Sequence, residues 1–293
     1  MILTEKTIVC VIYFLRVYIN YFLIFIGLIG NTINTLVFTQ LTLFRRNQSA
    51  FYLTIAAIFE CFILIFITLV RAIATSFGCD PTGTSIVWCK LRIYLAQFGT
   101  TVSTITVCFA AIDQYLSTSY DIRMRQISTF KLAQQLVSIL IIIAALYSIP
   151  VAVFQEIHST AGCAIYNPAY NYYLSFVQLS IVLGLLPIFI SSLFSILAYR
   201  NVGRIIRRHN SMIRRRLDRQ LTAMILIRVV LFVMTTLPYV VVRTYQINQS
   251  IDPNNTDAIA IGQLIKTVFT SIFTINFAVF NFRIDLRYFI AFF

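Results

Sequence analysis

Residues 94–115 read YLAQFGTTVSTITVCFAAIDQY and carry no charge before Asp113. About 20 residues without charge are enough to cross a lipid bilayer as a helix. Backbone polar groups in lipid must be satisfied within the segment, so a helix is the expected structure. The whole chain fits this environment, because it is 59% hydrophobic and 11% charged. Soluble domains are about 25% charged, so the composition indicates a membrane protein.

Stretches of this kind occur seven times along the 293 residues. The predicted spans cover about 17–41, 50–75, 85–113, 132–154, 172–199, 221–245 and 258–282. We therefore predict an all-α bundle of seven transmembrane helices that forms a single domain over 1–293. Residues 1–16 are predicted to be a short extracellular tail, and 283–293 a short cytoplasmic tail. The start of the latter is amphipathic, which predicts a short eighth helix along the membrane.

The basic residues predict the orientation of these spans. Fifteen Lys and Arg lie in alternate loops and after the last span, eight of them between the fifth and sixth spans. Because positive loops stay in the cytoplasm, the amino terminus is expected outside and the carboxyl terminus inside, at the plasma membrane. The sequons at Asn248 and Asn254 then face outward and can carry glycan, whereas Asn47 faces inward.

Cysteines on the predicted outer side indicate a disulfide. Cys89 begins the third span and Cys163 lies in the loop between the fourth and fifth spans. Disulfides persist in an oxidising compartment, and this pairing would tie that loop over the mouth of the bundle. A second bond between Cys10 and Cys79 remains open, because sequence alone does not fix connectivity.

Several motifs resemble the rhodopsin-like G-protein-coupled receptor family over nearly the whole chain. Asn31 occupies the polar position of GLIGNTINTLVF in the first span, and Glu60 stands where the family has an inward-facing acid in the second. Asp113, which follows Cys89 by 24 residues, begins a triplet like the family's acid-Arg-Tyr. Pro187 resembles the family's helix-bending proline, as does Pro238 in FVMTTLP; NFAVF resembles the Asn-Pro-x-x-Tyr motif.

The departures mark a divergent member, with some likeness to peptide receptors. Gln114 replaces the triplet arginine, Thr236 the aromatic switch of span six, and Ser195 the tyrosine usual in span five. The proline of the seventh span is absent, and the one tryptophan is Trp88.

The resemblance implies a polar site in the middle of the bundle. Glu60, Ser103 and Asn276 match positions where the family often binds a sodium ion, and oxygen ligands suit such a cation. No other metal and no other cofactor is expected. The alternative is a network in which a protonated Glu60 hydrogen-bonds to Asn31 and Asn276.

A switch is expected at the cytoplasmic ends of spans three and six. Asp113, Gln114 and Tyr115 form the triplet, and Asp218 stands 20 residues before Pro238, where the family's arginine finds a partner. A Gln114 contact with Asp218 would be weaker than a charged one, which predicts a loose latch. Arg228 can reach toward Asp113 or Glu60, so it either supplies the missing charge or satisfies a buried carboxylate.

Basic and aromatic residues gather at the predicted outer ends of the spans. Converging cations attract carboxylate, sulfate or phosphate groups, which favours a peptide with an acidic or free carboxyl end, or a small anion. Amine receptors carry an aspartate where Ala96 stands, and opsins a lysine where Thr270 stands. Anchoring to lipid headgroups is the alternative for some of these cations. The predicted ligand-binding residues are Arg71, Arg92, Tyr94, Gln97, Arg243 and Lys266.

We expect a receptor that transmits extracellular ligand binding to a heterotrimeric G protein, with membrane lipid as a further partner and no nucleic acid. The alternative is a non-coupling decoy, scaffold or heteromer partner, because Gln114 replaces the arginine. An enzyme is disfavoured, since the two histidines, His158 and His209, fall on opposite sides of the membrane. A transporter is disfavoured as well, because no helix-breaking repeats occur.

Overall fold

A computed structural model describes residues 2–41, 44, 47–78, 83–158, 162–205, 212–248 and 256–278; the side chains at 2–5, 158, 204–205, 212–218 and 256 are outside that description. Within these residues, seven helices are long and apolar enough to cross a membrane, which confirms the predicted bundle. Numbered in chain order, spans 1 to 7 are Lys6–Gln40, Gln48–Phe77, Ile86–Ser117, Phe130–Val153, Pro168–Gly203, Arg219–Asn248 and Asp257–Ala278. The predicted eighth helix in 283–293 lies outside the described residues.

Several spans combine consecutive helical segments, three of which have the wider turns of a π-helix. Span 1 joins Ile2–Phe14, π-helical Leu15–Ile19 and Asn20–Gln40, and span 2 joins Gln48–Ile63, π-helical Leu64–Leu69 and Val70–Phe77. Span 4 joins Phe130–Tyr147 and Ile149–Val153. Span 5 joins Pro168–Tyr173, π-helical Leu174–Leu185 and Leu186–Ile205. The remaining spanning helices are Ile86–Ser117, Met212–Asn248 and Thr256–Ala278, and a short helix, Ile122–Ile127, lies between spans 3 and 4. The π-helical part of span 5 ends just before Pro187, whose missing N–H interrupts regular α-helical bonding.

The amino-terminal residues differ from the predicted tail. Helix begins at Ile2 and continues through Leu15 into span 1, and the segment Ile2–Phe14 packs against span 7. The sequence TIVCVIYFL contains neither proline nor glycine, so nothing in it ends a helix. The helix therefore begins earlier than the predicted first span, which was started after Arg16.

Polar caps explain where the spans begin and end. The side chains of Asn47, Thr129 and Asn167 accept hydrogen bonds from backbone N–H groups in the first turns of spans 2, 4 and 5. Ser85 does the same for span 3 through the Trp88 N–H. Each cap satisfies a donor that has no partner within its own helix. Span 2 ends at Gly78, which adopts the left-handed conformation with φ of 66°.

Span 3 is the central helix and packs against spans 2, 4, 5 and 6. Its buried positions are mostly small, including Gly99, Ala110 and Ala111, and small residues let membrane helices approach closely. Span 1 approaches span 7 in the same way at Gly27. A Cβ at that position would lie 2.9 Å from the Ala278 Cα, so a larger residue would push the helices apart.

A β-hairpin, which the all-α prediction did not include, follows span 4. Strand β1, Gln155–His158, pairs antiparallel with β2, Gly162–Ile165, and β1 packs against span 3. The predicted disulfide between Cys89 and Cys163 is present, with Cα atoms 5.9 Å apart. Cys10 is exposed, and Cys79, its proposed partner, lies outside the described residues. The hairpin is thereby fixed to the beginning of span 3, and we call this end of the bundle the disulfide end.

Candidate functional site

Basic side chains from five spans meet at the disulfide end. Arg71 lies within electrostatic range of Arg16, Arg92 and Arg243. Lys266 has the same four arginines as its charged neighbours. We call this set, Arg16, Arg71, Arg92, Arg243 and Lys266, the cation cluster. The structure thus brings together the four cations that the sequence placed at one end of the bundle.

Arg16 is the member that sequence reasoning missed. It was assigned to the tail because the predicted first span began at residue 17. In the structure its guanidinium Nε donates to the Thr267 hydroxyl at 3.3 Å, which holds it against span 7. In the sequence, Arg16 lies at the same end of its span as the other cations lie in theirs. Because the helix runs continuously from Ile2, Arg16 belongs to span 1 and not to a tail.

The cluster is an electrostatic arrangement suited to an anion. Among the described residues, the electrostatic neighbours of Arg71 and Lys266 are cations and the Tyr239 phenol, and no carboxylate is among them. Like charges held together in a partly buried site repel by an amount of order 1 kcal/mol per pair or more. A bound carboxylate, sulfate or phosphate would relieve that repulsion and accept charge-assisted hydrogen bonds.

Aromatic side chains lie next to the cluster, but not all of the predicted ones join it. Tyr239 faces Arg71 and stacks on Phe273, with ring centroids 4.3 Å apart. This tyrosine was not predicted. Tyr94 instead stacks on Phe98, the next turn of its own helix, at 6.2 Å.

Gln97 also makes a contact within its own helix. Its amide donates to the Thr101 hydroxyl of span 3 at 3.4 Å. The described contacts of Tyr94 and Gln97 are thus with residues of span 3.

A buried ion pair lies in the middle of the bundle. The Arg228 guanidinium of span 6 donates to Glu60 Oε1 of span 2. The same carboxylate oxygen accepts from the Ser103 hydroxyl of span 3 at 3.1 Å. Glu60 and Arg228 are 1% and 5% exposed, so both charges are shielded from solvent. Of the two alternatives for Arg228, the structure supports satisfaction of a buried carboxylate. We call this contact the central ion pair.

The central ion pair does not fit a bound sodium ion. Hard cations take oxygen ligands, and a carboxylate that is already paired with a positive group attracts a further cation less. Here the Arg228 guanidinium already supplies the positive charge at Glu60. The Asn276 Oδ1, proposed as a further ligand, has no hydrogen-bond partner among the described residues, so it is the guanidinium at Glu60 and not Asn276 that disfavours the ion. Nor do those residues contain a cluster of three or more His, Cys, Asp or Glu that could hold a metal ion.

Asn31 lies beside the central ion pair and serves a different contact. Its amide donates to the Phe277 carbonyl of span 7 at 2.9 Å. Asn31, Glu60 and Arg228 line a cavity of about 20 Å³, measured as the space open to the centre of a water molecule. A space of that size holds about one water, and the unpartnered Asn31 Oδ1 offers it an acceptor.

The triplet residues form a separate polar site at the opposite end of the bundle. Asp113 accepts from the Ser49 hydroxyl at 2.6 Å and from the Ser128 hydroxyl at 2.5 Å. These contacts join span 3 to span 2 and to the segment that precedes span 4. We call Asp113 with Ser49 and Ser128 the Asp113 clamp. Neither serine was predicted from the sequence. Ser128 approaches Asp113 only because of the way the segment between spans 3 and 4 folds.

Gln114 links span 3 to span 6 through a neutral side chain. Its amide donates to the Thr222 hydroxyl of span 6 at 2.8 Å, and the residue is 1% exposed. The predicted partner Asp218 stands one helical turn earlier, and its side chain lies outside the described residues. Tyr115 packs on Phe194 of span 5 with ring centroids 5.4 Å apart. The triplet therefore links span 3 to spans 5 and 6.

Comparison with known proteins gives the same assignment as the geometry. The family model for seven-transmembrane receptors of the rhodopsin family matches residues 30–279, which is most of the chain. The sequence matches none of the proteins with curated descriptions. The matched region contains all of spans 2 to 7, the central ion pair and the Asp113 clamp. The chain belongs to the rhodopsin family of seven-transmembrane receptors, and it is therefore a multi-pass membrane receptor rather than an enzyme.

Proposed function

We propose that this receptor lies in the plasma membrane, binds an anionic extracellular ligand at the cation cluster, and transmits the binding event to a cytoplasmic G protein. The convergence of Arg16, Arg71, Arg92, Arg243 and Lys266 from five different spans carries this proposal. The ligand is a peptide with an acidic or free carboxyl end, or a small molecule with more than one anionic group.

The orientation rests on the distribution of charge and on the disulfide. Loops at the Asp113 end and after span 7 hold most of the basic residues, which favours a cytoplasmic location. The Cys89–Cys163 bond lies at the other end, where an oxidising exterior would preserve it. In this orientation the cation cluster opens to the outside.

Lipid anchoring explains the cluster less well than ligand binding does. Basic residues that anchor a helix extend toward lipid headgroups, away from the helices next to them. Here Arg71 lies within electrostatic range of three other arginines, and Arg16 of span 1 is bonded to span 7. Such an inward arrangement matches a ligand mouth formed between the spans.

Signal transmission would follow span 6. The ligand must bind the active arrangement more tightly than the resting one. Arg243 lies at the disulfide end of span 6, Arg228 lies at its middle, and Thr222 contacts Gln114 near its other end. Pro238 lies within this helix and marks a place where it can bend. A ligand that draws Arg243 inward would therefore shift the inner end of span 6 relative to span 3.

A thermal-shift experiment tests the binding half of the proposal. The full-length protein in lipid nanodiscs would be titrated with sulfate, pyrophosphate and an acidic peptide that has a free carboxyl end. At a probe concentration of about 100 Kd, linkage adds about 2.7 kcal/mol of stability, or roughly 5–10 °C in Tm. Chloride at matched ionic strength serves as the reference condition.

Matched variants locate the response. Arg71→Gln and Lys266→Gln should each lose most of the Tm increase. Lys90→Gln should retain it, because Lys90 lies on span 3 but bonds to the Val153 carbonyl. If no anion stabilises the wild type, or if Arg71→Gln responds as the wild type does, the cation cluster is not an anion site.

A receptor that no longer couples is the second candidate, and Gln114 is the observation that favours it. Its contact with Thr222 is neutral, whereas the arginine of the family triplet is charged. A G-protein activation assay in cells, with Gln114→Arg as the comparison, separates the candidates. Activation by the wild type supports coupling; activation by neither form supports a decoy, scaffold or heteromer partner.

A further inference from the structure

Ser128 occupies an unusual position for a loop hydroxyl. Its side chain donates to Asp113 Oδ1 at 2.5 Å, and its carbonyl accepts from the Gln48 amide at 3.3 Å. The residue is half-buried, and it directly follows the short helix Ile122–Ile127. Ser128 therefore fastens the segment between spans 3 and 4 to the inner ends of spans 2 and 3.

The sequence before Ser128 is basic and accessible. Residues 123–128 read RMRQIS, and Arg123 and Arg125 are both exposed. These arginines precede the serine by five and three residues. A protein kinase whose substrate groove is lined with carboxylates can pair with both guanidiniums and so place the serine at its active site. A helix of six residues is marginal by itself, so the segment can unwind to enter such a groove.

We propose that Ser128 is a phosphorylation site for an arginine-directed kinase, and that its phosphorylation opens the Asp113 clamp. The kinase transfers the γ-phosphoryl group of a nucleoside triphosphate to the Ser128 oxygen. The bond to the β–γ bridging oxygen breaks and the nucleoside diphosphate leaves. The serine proton passes to the catalytic base of the kinase.

The consequence for the clamp follows from charge. A phosphoserine carries a charge of about −1.5 to −2 near neutral pH, and placed beside a carboxylate it is repelled. Asp113 is 7% exposed, so the phosphate cannot share its site at low cost. The modified residue therefore leaves Asp113 and moves toward Arg123 and Arg125. Of the two serine hydroxyls that donate to Asp113, only that of Ser49 then remains bonded to it.

This inference goes beyond the proposed ligand and uses only the proposed orientation. The segment 119–128 faces the cytoplasm in that orientation, where kinases and nucleoside triphosphates are available. Release of Ser128 alters the surface next to Gln114 and Tyr115, which the proposed function assigns to the G protein. Phosphorylation would therefore change coupling without any change at the cation cluster.

The experiment has one arm in detergent and one arm in cells. Purified full-length receptor is incubated with ATP and a kinase that prefers arginine three residues before serine. Chymotrypsin, which cleaves after Tyr120 and Phe130, releases residues 121–130 as DIRMRQISTF from the wild type and at the same sites from every variant used below. Fragment-ion mass spectrometry then assigns phosphate to Ser128 or to the neighbouring Thr129. The same peptide is then analysed from cells in which such kinases are activated.

Matched variants separate recognition from structure. Arg125→Gln removes one recognition arginine and leaves the Ser128–Asp113 bond intact, so labelling should fall by roughly tenfold, about 1.4 kcal/mol of lost recognition. Lys131→Gln changes an exposed cation on the other side of Ser128 and should label like the wild type. Ser128→Ala should abolish labelling at this position.

A hydrogen-exchange measurement tests the opening of the clamp. Phosphorylation should speed amide exchange in residues 119–128 by at least about fivefold in the wild type. Asp113→Asn carries no negative charge, so phosphorylation should change its exchange much less.

The outcomes decide the two proposals separately. Absence of Ser128 labelling in detergent, or equal labelling of wild type and Arg125→Gln, overturns the phosphorylation site. Unchanged exchange after full phosphorylation overturns the opening of the clamp. Labelling in detergent but not in cells, with protease cleavage of the 119–128 segment from outside the cell, overturns the proposed orientation instead.

Discussion

The cation cluster and the central ion pair differ in what lies next to their positive charges. In the middle of the bundle, Arg228 is matched by the Glu60 carboxylate and supported by Ser103. At the disulfide end, Arg71 and Lys266 have other cations as their charged neighbours among the described residues. Positive charge is therefore matched by a carboxylate in the middle of the receptor, whereas at the disulfide end we propose that the matching negative group is the ligand.

This difference predicts opposite effects of the two sets of charges on stability. A buried pair contributes little net stability compared with apolar residues, but the loss of one partner leaves an isolated charge and is strongly destabilising. A cluster of like charges is already unfavourable, so the loss of one member relieves repulsion. Substitutions in the two regions should consequently change the free energy of unfolding in opposite directions.

The largest effect is expected at the central ion pair. Arg228→Leu leaves Glu60 buried and unpaired, which should reduce stability by about 3–5 kcal/mol, or roughly 6–15 °C in Tm. The double variant Glu60→Leu with Arg228→Leu should recover most of that loss, because no isolated charge remains. Thermal unfolding in nanodiscs measures both effects.

Arg200→Leu is the control for this substitution. Arg200 is exposed on span 5, and its replacement should stay within about 0.5 kcal/mol of the wild type. If Arg228→Leu proves as harmless as Arg200→Leu, the central ion pair does not have the structural role assigned to it. A double variant less stable than Arg228→Leu would contradict the same assignment.

A smaller effect of opposite sign is expected at the cation cluster. Without added anion, Arg71→Gln should leave stability unchanged or raise it by about 1 kcal/mol, since repulsion from Arg16, Arg92 and Arg243 is reduced. Thermal unfolding in a low-salt chloride buffer measures the change, and added salt should diminish it by screening. A loss comparable to that of Arg228→Leu would show that Arg71 has a structural counter-charge.

The seven spans and the disulfide were predictable because they depend on simple patterns. Length without charge identifies a helix that can cross a bilayer, and sidedness places Cys89 and Cys163 together. The start of span 1 was harder to place, because a charged side chain near the end of an apolar run can mark either the end of the helix or a residue that faces the bundle. Arg16 was missed for this reason. The hairpin was missed as well, because QEIH and GCAI are too short for strand periodicity to be recognised.

The partners of the polar residues were harder to predict. Arg228 and Glu60 are 168 residues apart, and sequence depth alone left Asp113 as an equal partner. The choice depends on the rotation of spans 2, 3 and 6 about their axes, which packing determines. Ser128 illustrates the same limit, because its contact with Asp113 depends on the turn after helix Ile122–Ile127.

The neutral contact between Gln114 and Thr222 should contribute less to stability than the central ion pair does. Thr222→Val removes the hydroxyl that accepts from the Gln114 amide while keeping the size of the side chain. Loss of one neutral hydrogen bond costs about 0.5–1.5 kcal/mol. If the Gln114–Thr222 hydrogen bond favours the resting state, its loss should raise basal G-protein activation by about two- to tenfold.

Thr235→Val provides the control for the latch. Thr235 lies on the same helix, and its hydroxyl bonds to backbone carbonyls of span 6, so it should leave basal activation unchanged. Basal activation that is the same in wild type and Thr222→Val would remove Gln114–Thr222 as a latch. Equal increases in both threonine variants would instead indicate a general effect on span 6.

The smallest expected effect is the response of the wild type to sodium. A sodium site with a Kd of about 10 mM would add about 1.6 kcal/mol at about 150 mM sodium. Because Arg228 already compensates Glu60, replacing choline chloride by sodium chloride should leave Tm within about 1 °C. Arg228→Gln frees the carboxylate and should gain a sodium-dependent increase. The double variant Glu60→Gln with Arg228→Gln has no carboxylate there and should lose that gain. A sodium-specific increase in the Tm of the wild type would mean that the Arg228 guanidinium does not occupy the cation position at Glu60. The central ion pair would then not be the compensated counterpart of the cation cluster.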